Sequence, residues 1–196
     1  MRILLIGGTG TIGKAIYDLL STTHEVVRAS RNGEELTVDI SSPESIQQMY
    51  AKAGRFDALI SAAGAARFVP LAKLSEEDFS FCLANKLMGQ VNLVRLGAET
   101  IADGGSFTLT SGILSQYPMP GSAAISLVNA GLEGFARAAA LELPRGVRIN
   151  VVSPPWVRET LEAMGRDPLP GMPAAKVAQA YRESVEGSRS GEVLSP

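Results

Sequence analysis

Short apolar runs alternate with longer amphipathic stretches along this chain. Runs rich in branched aliphatic residues predict seven strands, at positions 3–6, 25–29, 36–40, 57–61, 106–110, 148–152 and 192–194. Apolar residues at helical spacing predict helices at 14–20, at 43–53 after a cap at Ser41 or Ser42, from 75 to about 101, and at 122–143. Parallel strands joined by crossover helices are typical of this alternation. We therefore predict a doubly wound α/β fold with a parallel sheet of about seven strands in three α/β/α layers.

Composition narrows the class of protein without naming an activity. The 196 residues contain no linker or repeat, so we expect one domain spanning 1–196. Lys and Arg total 18 against 20 acidic residues, a net charge of −2, which argues against nucleic acid or an anionic membrane as partner. One cysteine, Cys82, excludes an internal disulfide and a Cys-rich metal cage. No apolar run approaches the roughly 20 residues that span a bilayer, so we expect a cytoplasmic protein. We also expect no metal ion, because the sequence has no Cys-rich ligand set.

Three glycines stand directly between the first predicted strand and the first predicted helix. Gly7 allows a tight turn, Gly10 permits backbone approach to a pyrophosphate, and Gly13 lets the helix start close to the sheet. Unpaired amides at the helix start then face the anion. This arrangement predicts a Rossmann-like dinucleotide site, although the same glycines also suit a turn that only joins strand to helix. The candidate cofactor-binding residues of the turn are Gly7, Thr9, Gly10, Thr11, Ile12 and Gly13.

The end of the second strand indicates which dinucleotide is bound. An NAD site usually places a carboxylate here, whereas this chain has Ser30, Arg31 and Asn32. A guanidinium meets a 2′-phosphate with forked donors, so we predict that NADP(H) is preferred over NAD(H). The alternative is that Arg31 is a solvated arginine in a surface turn.

Two further strand ends supply candidate contacts. Asp39 is placed to accept from an adenine amino group while Ile40 packs on the ring, or Asp39 simply caps the turn that follows. After the fourth strand, the small residues Ala62, Ala63 and Gly64 leave room for a flat ligand across the strand ends.

The ordered set of motifs resembles the short-chain dehydrogenase/reductase family. It comprises the glycine turn, Asp39-Ile40, Ala62-Ala63-Gly64, Asn85, Thr110-Ser111 and the stretch from Asn150 to Pro155, and it covers about residues 1–157. The resemblance implies that Asn85 organises a water relay, that Ser111 hydrogen-bonds the substrate oxygen, and that Pro154 and Val157 line the nicotinamide end of the cofactor. It also implies a homodimer or homotetramer acting on a small molecule.

The chain departs from that family at the two residues that carry its chemistry. Ile125 stands where the family has a tyrosine, and Asn129 stands where it has a lysine. Isoleucine transfers no proton, whereas Asn129 can still donate to a ribose hydroxyl. Tyr117 and Lys86 are weak candidates to replace the tyrosine as proton donor. We therefore predict a carbonyl or alcohol oxidoreductase with atypical catalysis, and the alternative is an inactive NADP(H)-binding sensor.

Overall fold

The computed structural model describes residues 1–33 and 35–196, and its centre is a sheet of seven strands. The strands are β1 (Arg2–Ile6), β2 (Glu25–Ser30), β3 (Leu36–Thr37), β4 (Phe56–Ser61), β5 (Ile101–Thr110), β6 (Arg148–Val152) and β7 (Val193–Leu194). Every pairing is parallel, and the strand order is β3-β2-β1-β4-β5-β6-β7. The predicted Rossmann-like α/β fold is confirmed. The strand order reverses between β1 and β4, which is where ligands bind in folds of this type.

Helices cover both faces of the sheet. They are α1 (Thr11–Leu20), α2 (Pro43–Ala53), α3 (Glu76–Cys82), α4 (Gly89–Gly97), α5 (Ala123–Ala139), α6 (Arg158–Ala163) and α7 (Ala174–Glu186). One face buries apolar residues of α2, α4 and α5 against the sheet, including Met49, Leu93 and Leu132. The other face buries those of α1 and α7, including Ile16 and Tyr181. No helix in residues 1–33 or 35–196 combines the length and apolar character needed to cross a bilayer.

The sequence correctly located the start of several helices. Ser42, rather than Ser41, caps α2, and its side chain accepts a hydrogen bond from the Ser45 amide at 3.1 Å. Ser75 and Asp78 form a reciprocal capping box at the start of α3. These caps satisfy amides that would otherwise be unpaired at the helix ends.

Several predicted boundaries were wrong, including the start of the first helix, which is at Thr11 rather than residue 14. The long helix ends at Gly97 because β5 already begins at Ile101 and continues through Gly104 and Gly105. A side chain at Gly105 would lie 2.6 Å from the Asp57 carbonyl, so glycine allows β5 to stay close to β4 there. The third strand spans only Leu36–Thr37, and α5 stops at Ala139, five residues before Pro144.

The segment between α3 and α4 is a wide π-helical turn rather than ordinary helix. It spans Leu83–Met88, and the Gly89 amide donates to the Ala84 carbonyl five residues earlier. Single π turns occur mostly at functional sites, because they change the direction of side chains relative to a regular helix. This turn carries Asn85 and Lys86 past the carboxyl ends of the central strands.

Candidate functional site

The glycine turn after β1 is held in close contact with neighbouring backbone. Gly7 has a φ of +83°, and a side chain there would lie 2.9 Å from the Ala62 carbonyl oxygen. A side chain at Gly13 would lie 2.0 Å from the Gly7 carbonyl oxygen. Both positions therefore require glycine, as the sequence predicted. At Gly10 the nearest atom to an added side chain is 3.5 Å away, so this part of the turn stays open.

The start of α1 offers backbone donors to an anion. Gly10 is the N-cap of α1 and has no side chain to accept from the first amides of the helix. The first turn of α1 holds no acidic residue. Positive helix dipole and unpaired N–H groups together favour phosphate at such a site. Thr9 and Thr11 border the solvent here, whereas the Ile12 side chain packs into the core.

A cleft of about 470 Å³ opens beside this turn at the carboxyl ends of β1 and β2. We call it the glycine-turn cleft. Predicted residues that line it are Gly7, Thr9, Ser30, Arg31, Asn32, Ile40, Ala63, Gly64 and Asn85. The Arg31 guanidinium is held loosely, at 3.5 Å from Asp39 and 3.4 Å from the Asn85 side-chain oxygen. Its side chain is 63% exposed, so it is available to a ligand.

Asp39 caps its own turn. Its Oδ1 accepts from the Ser41 amide at 3.0 Å and from the Ser41 hydroxyl at 2.7 Å. These hydrogen bonds lower the pKa of the Asp39 carboxyl, and the nearby Arg31 lowers it further. Asp39 thus caps the turn, and Ile40 rather than Asp39 lines the cleft, while the contact of Asp39 with an adenine amino group stays a prediction.

A second cleft, of about 230 Å³, lies at the carboxyl ends of β5 and β6, and we call it the Ser111 cleft. Its lining brings together Gly64, Lys86, Ser111, Ile125, Asn129, Pro154, Trp156 and Val157. Hydrogen bonds from the Ser111 amide to the Val152 carbonyl and from the Ile113 amide to the Pro154 carbonyl join its two walls. The predicted nicotinamide-lining residues therefore lie beside the predicted catalytic serine.

Ser111 lies in this cleft, but its hydroxyl proton is already used. Ser111 Oγ donates to Glu133 Oε1 at 3.0 Å, and Ser115 Oγ donates to the same oxygen at 2.6 Å. Ser111 is 3% exposed and Glu133 is 5% exposed. Because a hydroxyl has one proton, the Ser111 proton is directed at Glu133 in this geometry, and the predicted hydrogen bond to a substrate oxygen stays a prediction.

Sequence reasoning missed Glu133 and Gln90, which both position this edge. Glu133 follows Ile125 and Asn129 at intervals of four, so the spacing along α5 placed it on the same helix face. Gln90 bonds both backbone groups of Thr110, accepting from its amide at 2.8 Å and donating to its carbonyl at 2.9 Å. The position of Gln90 one residue after Gly89 gave no comparable signal.

Ile125 and Asn129 face the Ser111 cleft from one side of α5. Asn129 is 2% exposed and donates to the Gly112 carbonyl at 3.2 Å. Its side-chain oxygen has no hydrogen-bond partner among residues 1–33 and 35–196. Burying such an acceptor is costly unless a ligand satisfies it. Tyr117 does not line the cleft and is 69% exposed.

The adjacent residues Asn85 and Lys86 enter different clefts. Asn85 Nδ2 donates to the Phe81 carbonyl at 3.0 Å, and its oxygen faces Arg31. The structure therefore does not bring the Asn85 side chain to Ser111, where the predicted water relay would lie. Lys86 reaches that place instead, and its Nζ donates to the Ser111 carbonyl at 3.1 Å.

The family can now be identified by comparison with known proteins. Residues 15–188 match the family described as enoyl-(acyl carrier protein) reductase. Carbonyl reductase family member 4 of Danio rerio is 27% identical over 82% of this chain and 77% of its own length. The 3-oxoacyl-[acyl-carrier-protein] reductase of Mus musculus is 28% identical over 79% of this chain and 74% of its own.

Solved structures match over the whole chain. Protein lin1944 of Listeria innocua is 42% identical with a TM-score of 0.95, covering 100% of this chain and 98% of that one. A small-chain dehydrogenase solved in complex with NADPH is 27% identical with a TM-score of 0.88, covering 100% and 96%. This chain belongs to the short-chain dehydrogenase/reductase family, whose members are NAD(P)-dependent oxidoreductases.

Proposed function

We propose that this chain binds NADP(H) in preference to NAD(H) and reduces a carbonyl, or oxidises the matching alcohol, of a small molecule. The observation that carries the proposal is the exposed Arg31 guanidinium in the glycine-turn cleft, where β2 ends without a carboxylate. The NADPH found with one 27% identical dehydrogenase is consistent with this choice. Asp39 and Asn85 approach Arg31 only at 3.5 and 3.4 Å, so a phosphate would displace weak contacts.

The residues present fit the dinucleotide along both clefts. The open turn at Gly10 and the uncapped amides of α1 suit the pyrophosphate. Ile40 and the small residues Ala63 and Gly64 leave a flat slot beside them. The unpaired Asn129 oxygen suits a ribose hydroxyl, which would donate to it and remove the cost of its burial.

When bound, the cofactor supplies a hydride, and this chain's residues govern the rest of the site. Pro154, Trp156, Val157 and Ile125 give the Ser111 cleft a mostly apolar wall, which excludes water from a reacting carbonyl. Glu133 fixes the Ser111 segment through the serine hydroxyl, and Gln90 fixes it through the Thr110 backbone. Both are positioning residues.

A second candidate function is a catalytically silent NADP(H) sensor. Ile125 lines the cleft at the family's tyrosine position, and Asn129 occupies the lysine position, so two chemical groups are missing together. The loss of proton transfer typically costs about 10²- to 10⁴-fold in rate. The sensor proposal keeps the binding cleft and dispenses with turnover.

Calorimetric titration with NADPH and NADH tests the cofactor proposal. We expect Arg31→Ala to weaken NADPH binding by about 10- to 100-fold and NADH binding far less, because only NADPH carries the 2′-phosphate. Arg55→Ala is the matched control. Arg55 is 71% exposed and precedes the amino end of β4, whereas the glycine-turn cleft lies at the carboxyl ends of the strands. Equal losses for the two cofactors would refute the phosphate role. Turnover of a carbonyl panel would refute the sensor.

We also propose that the protein forms a homodimer or homotetramer through α4 and α5, and that it resides in the cytoplasm. A shallow apolar depression of about 370 Å³ runs between these helices, with Val94, Ala98, Phe135 and Ala138 in its floor. Small residues there permit close approach of a second copy. Light scattering on the purified protein tests the proposed assembly, and a monomer would contradict it.

A further inference from the structure

Lys86 is the one lysine among the residues that line the Ser111 cleft. It enters from the π-helical turn, and its Nζ donates to the Ser111 carbonyl at 3.1 Å. Gly64 faces the lysine stem, and a side chain at Gly64 would lie 3.1 Å from Lys86 Cγ. Because Gly64 has no side chain, there is room for the Lys86 side chain to pass it and enter the cleft.

Two other polar side chains of the cleft already donate hydrogen bonds within the protein. The Ser111 hydroxyl donates to Glu133, and the Asn129 amide donates to the Gly112 carbonyl. Ile125 has no proton to give. An ammonium has three donors, and the hydrogen bonds described for residues 1–33 and 35–196 use one of those of Lys86.

The surroundings of Lys86 weaken its hold on a proton. Desolvation of the Lys86 amine in its partly buried position lowers its pKa to about 8, and this effect is opposed by Cys82 one helical turn earlier. From α5, the charged group nearest the cleft is Glu133, which lies behind Ser111 and is bonded to its hydroxyl. From the loop after β6, the lining groups are uncharged. An amine with a pKa near the working pH is suited to proton transfer.

We propose that Lys86 is the proton donor of this site, acting on the carbonyl oxygen of a small apolar ketone or aldehyde. The inference rests on the proposed NADP(H)-dependent function and gives the missing tyrosine a replacement from a different helix. The apolar wall formed by Ile125, Trp156 and Val157 sets the class of substrate, because it offers no partner to a charged group.

The step balances with reduced nicotinamide dinucleotide as co-reactant. The hydride and its electron pair form a C–H bond at the carbonyl carbon, and the C=O π pair moves to oxygen. The Lys86 ammonium gives one proton to that oxygen. The products are the alcohol, the oxidised dinucleotide and a neutral amine, which water reprotonates.

Nuclear magnetic resonance on the protein alone gives the first test. With ¹³C at the ε carbons of the five lysines, we expect one signal to titrate near pH 8 and to vanish in Lys86→Met. The signals of the other four lysines serve as internal references. A Lys86 signal that titrates at the ordinary lysine pKa of about 10.4 would overturn the proposal.

Steady-state kinetics with NADPH and a panel of small apolar ketones and aldehydes gives the second test. We expect wild-type kcat/KM to fall as the pH rises through about 8, since the amine must carry its proton. Lys86→Met should lower kcat by about 10²- to 10⁴-fold while calorimetry shows unchanged NADPH affinity. Lys73→Met is the control, because Lys73 is exposed in the short helix Leu71–Lys73.

Lys86→Arg separates proton donation from charge alone. Arginine keeps the positive charge but does not release its proton, so we expect its activity to fall like that of Lys86→Met. Activity retained in Lys86→Arg or Lys86→Met overturns the role of Lys86. Wild-type protein that binds NADPH but turns over no carbonyl also overturns it and leaves the sensor. Failure to bind NADPH refutes the proposed function itself, so the two failures are distinguishable.

Discussion

The two clefts at the carboxyl edge of the sheet are built from different kinds of atoms. The glycine-turn cleft depends on backbone, with Gly7 and Gly13 in positions where a side chain would meet carbonyl oxygens at 2.9 and 2.0 Å. The Ser111 cleft depends on side chains, with Lys86, Glu133 and Asn129 each making a specific contact. The glycine-turn cleft therefore depends on backbone shape and the helix dipole, and the Ser111 cleft depends on the functional groups of its side chains.

This difference explains how a chain can keep one half of a site while changing the other. Backbone amides at a helix start bind a phosphate whatever stands elsewhere in the sequence. Proton transfer needs one group with a suitable pKa at one place, so a substitution in the Ser111 cleft can alter the reaction while the glycine turn stays unchanged. The following predictions test that separation, beginning with the largest effect.

Restoring the family's residues should restore its chemistry in the Ser111 cleft. In the Lys86→Met background, which removes the native amine, we expect Ile125→Tyr/Asn129→Lys to raise kcat for carbonyl reduction by about 10²- to 10⁴-fold. NADPH affinity is measured for each variant as well, because Asn129→Lys replaces the residue proposed to accept from a ribose hydroxyl. Ile125→Phe/Asn129→Lys is the matched control, because it has the ring without the phenol. Equal rates in the two variants would show that this cleft does not hold the reacting carbonyl.

The glycine turn should fail when a single methyl group is added. Gly13→Ala places a carbon against the Gly7 carbonyl oxygen, so we expect a loss of about 3 kcal/mol in the free energy of unfolding. Tm should fall by roughly 6–12 °C, and NADPH binding should be lost. Thermal unfolding measures the Tm, and calorimetry measures NADPH binding.

Gly134→Ala is the matched control for that prediction. A side chain at Gly134 in α5 meets no described atom within 4 Å. Alanine in a helix is favoured over glycine by about 0.5–1 kcal/mol, so this variant should gain stability. A Gly13→Ala protein as stable as Gly134→Ala would contradict the close approach at the turn.

The sequence predicted the glycine turn and the sheet because both depend on local residue type. Four-residue aliphatic runs mark buried strands, and glycine at positions 7 and 13 is a direct consequence of backbone geometry. The end of the long helix was misjudged because the nine residues from Gly97 to Gly105 have no apolar periodicity that marks a boundary, and tertiary packing decides where the helix ends and β5 begins.

The arrangement of the Ser111 cleft could be predicted only in part. Ser111, Ile125 and Asn129 were placed by resemblance and spacing. The Ser111 to Glu133 bond joins residues 22 apart, and no local rule predicts it. The placement of Asn85 and Lys86 in different clefts accompanies the π turn, which redirects side chains relative to a regular helix.

Glu133 should support the chemical half of the site without touching the binding half. Glu133→Gln replaces the carboxylate that accepts from the buried Ser111 hydroxyl and the partly buried Ser115 hydroxyl, so we expect a loss of about 1–3 kcal/mol in the free energy of unfolding. NADPH affinity should stay within about twofold, since 1.4 kcal/mol corresponds to tenfold and no cofactor contact is proposed for Glu133. Urea unfolding and calorimetry measure the two effects. A large fall in affinity with unchanged stability would contradict the separation of the clefts.

The smallest effect concerns the helix that carries the π turn. Asp78 accepts from Arg67 at 2.6 Å and from the Ser75 amide, and these contacts lower its pKa to about 2 from an ordinary value of 3.8. A carboxyl whose folded pKa is depressed stabilises the fold above its unfolded pKa and loses that contribution as the pH falls towards 2. The Tm difference between wild type and Asp78→Asn should therefore be present at pH 5 and shrink between pH 4 and pH 2. Asp18→Asn, on the exposed side of α1, is the control for the loss of one surface carboxylate. A constant gap for Asp78→Asn would mean that the charge of the Asp78 carboxylate does not cause the difference in Tm.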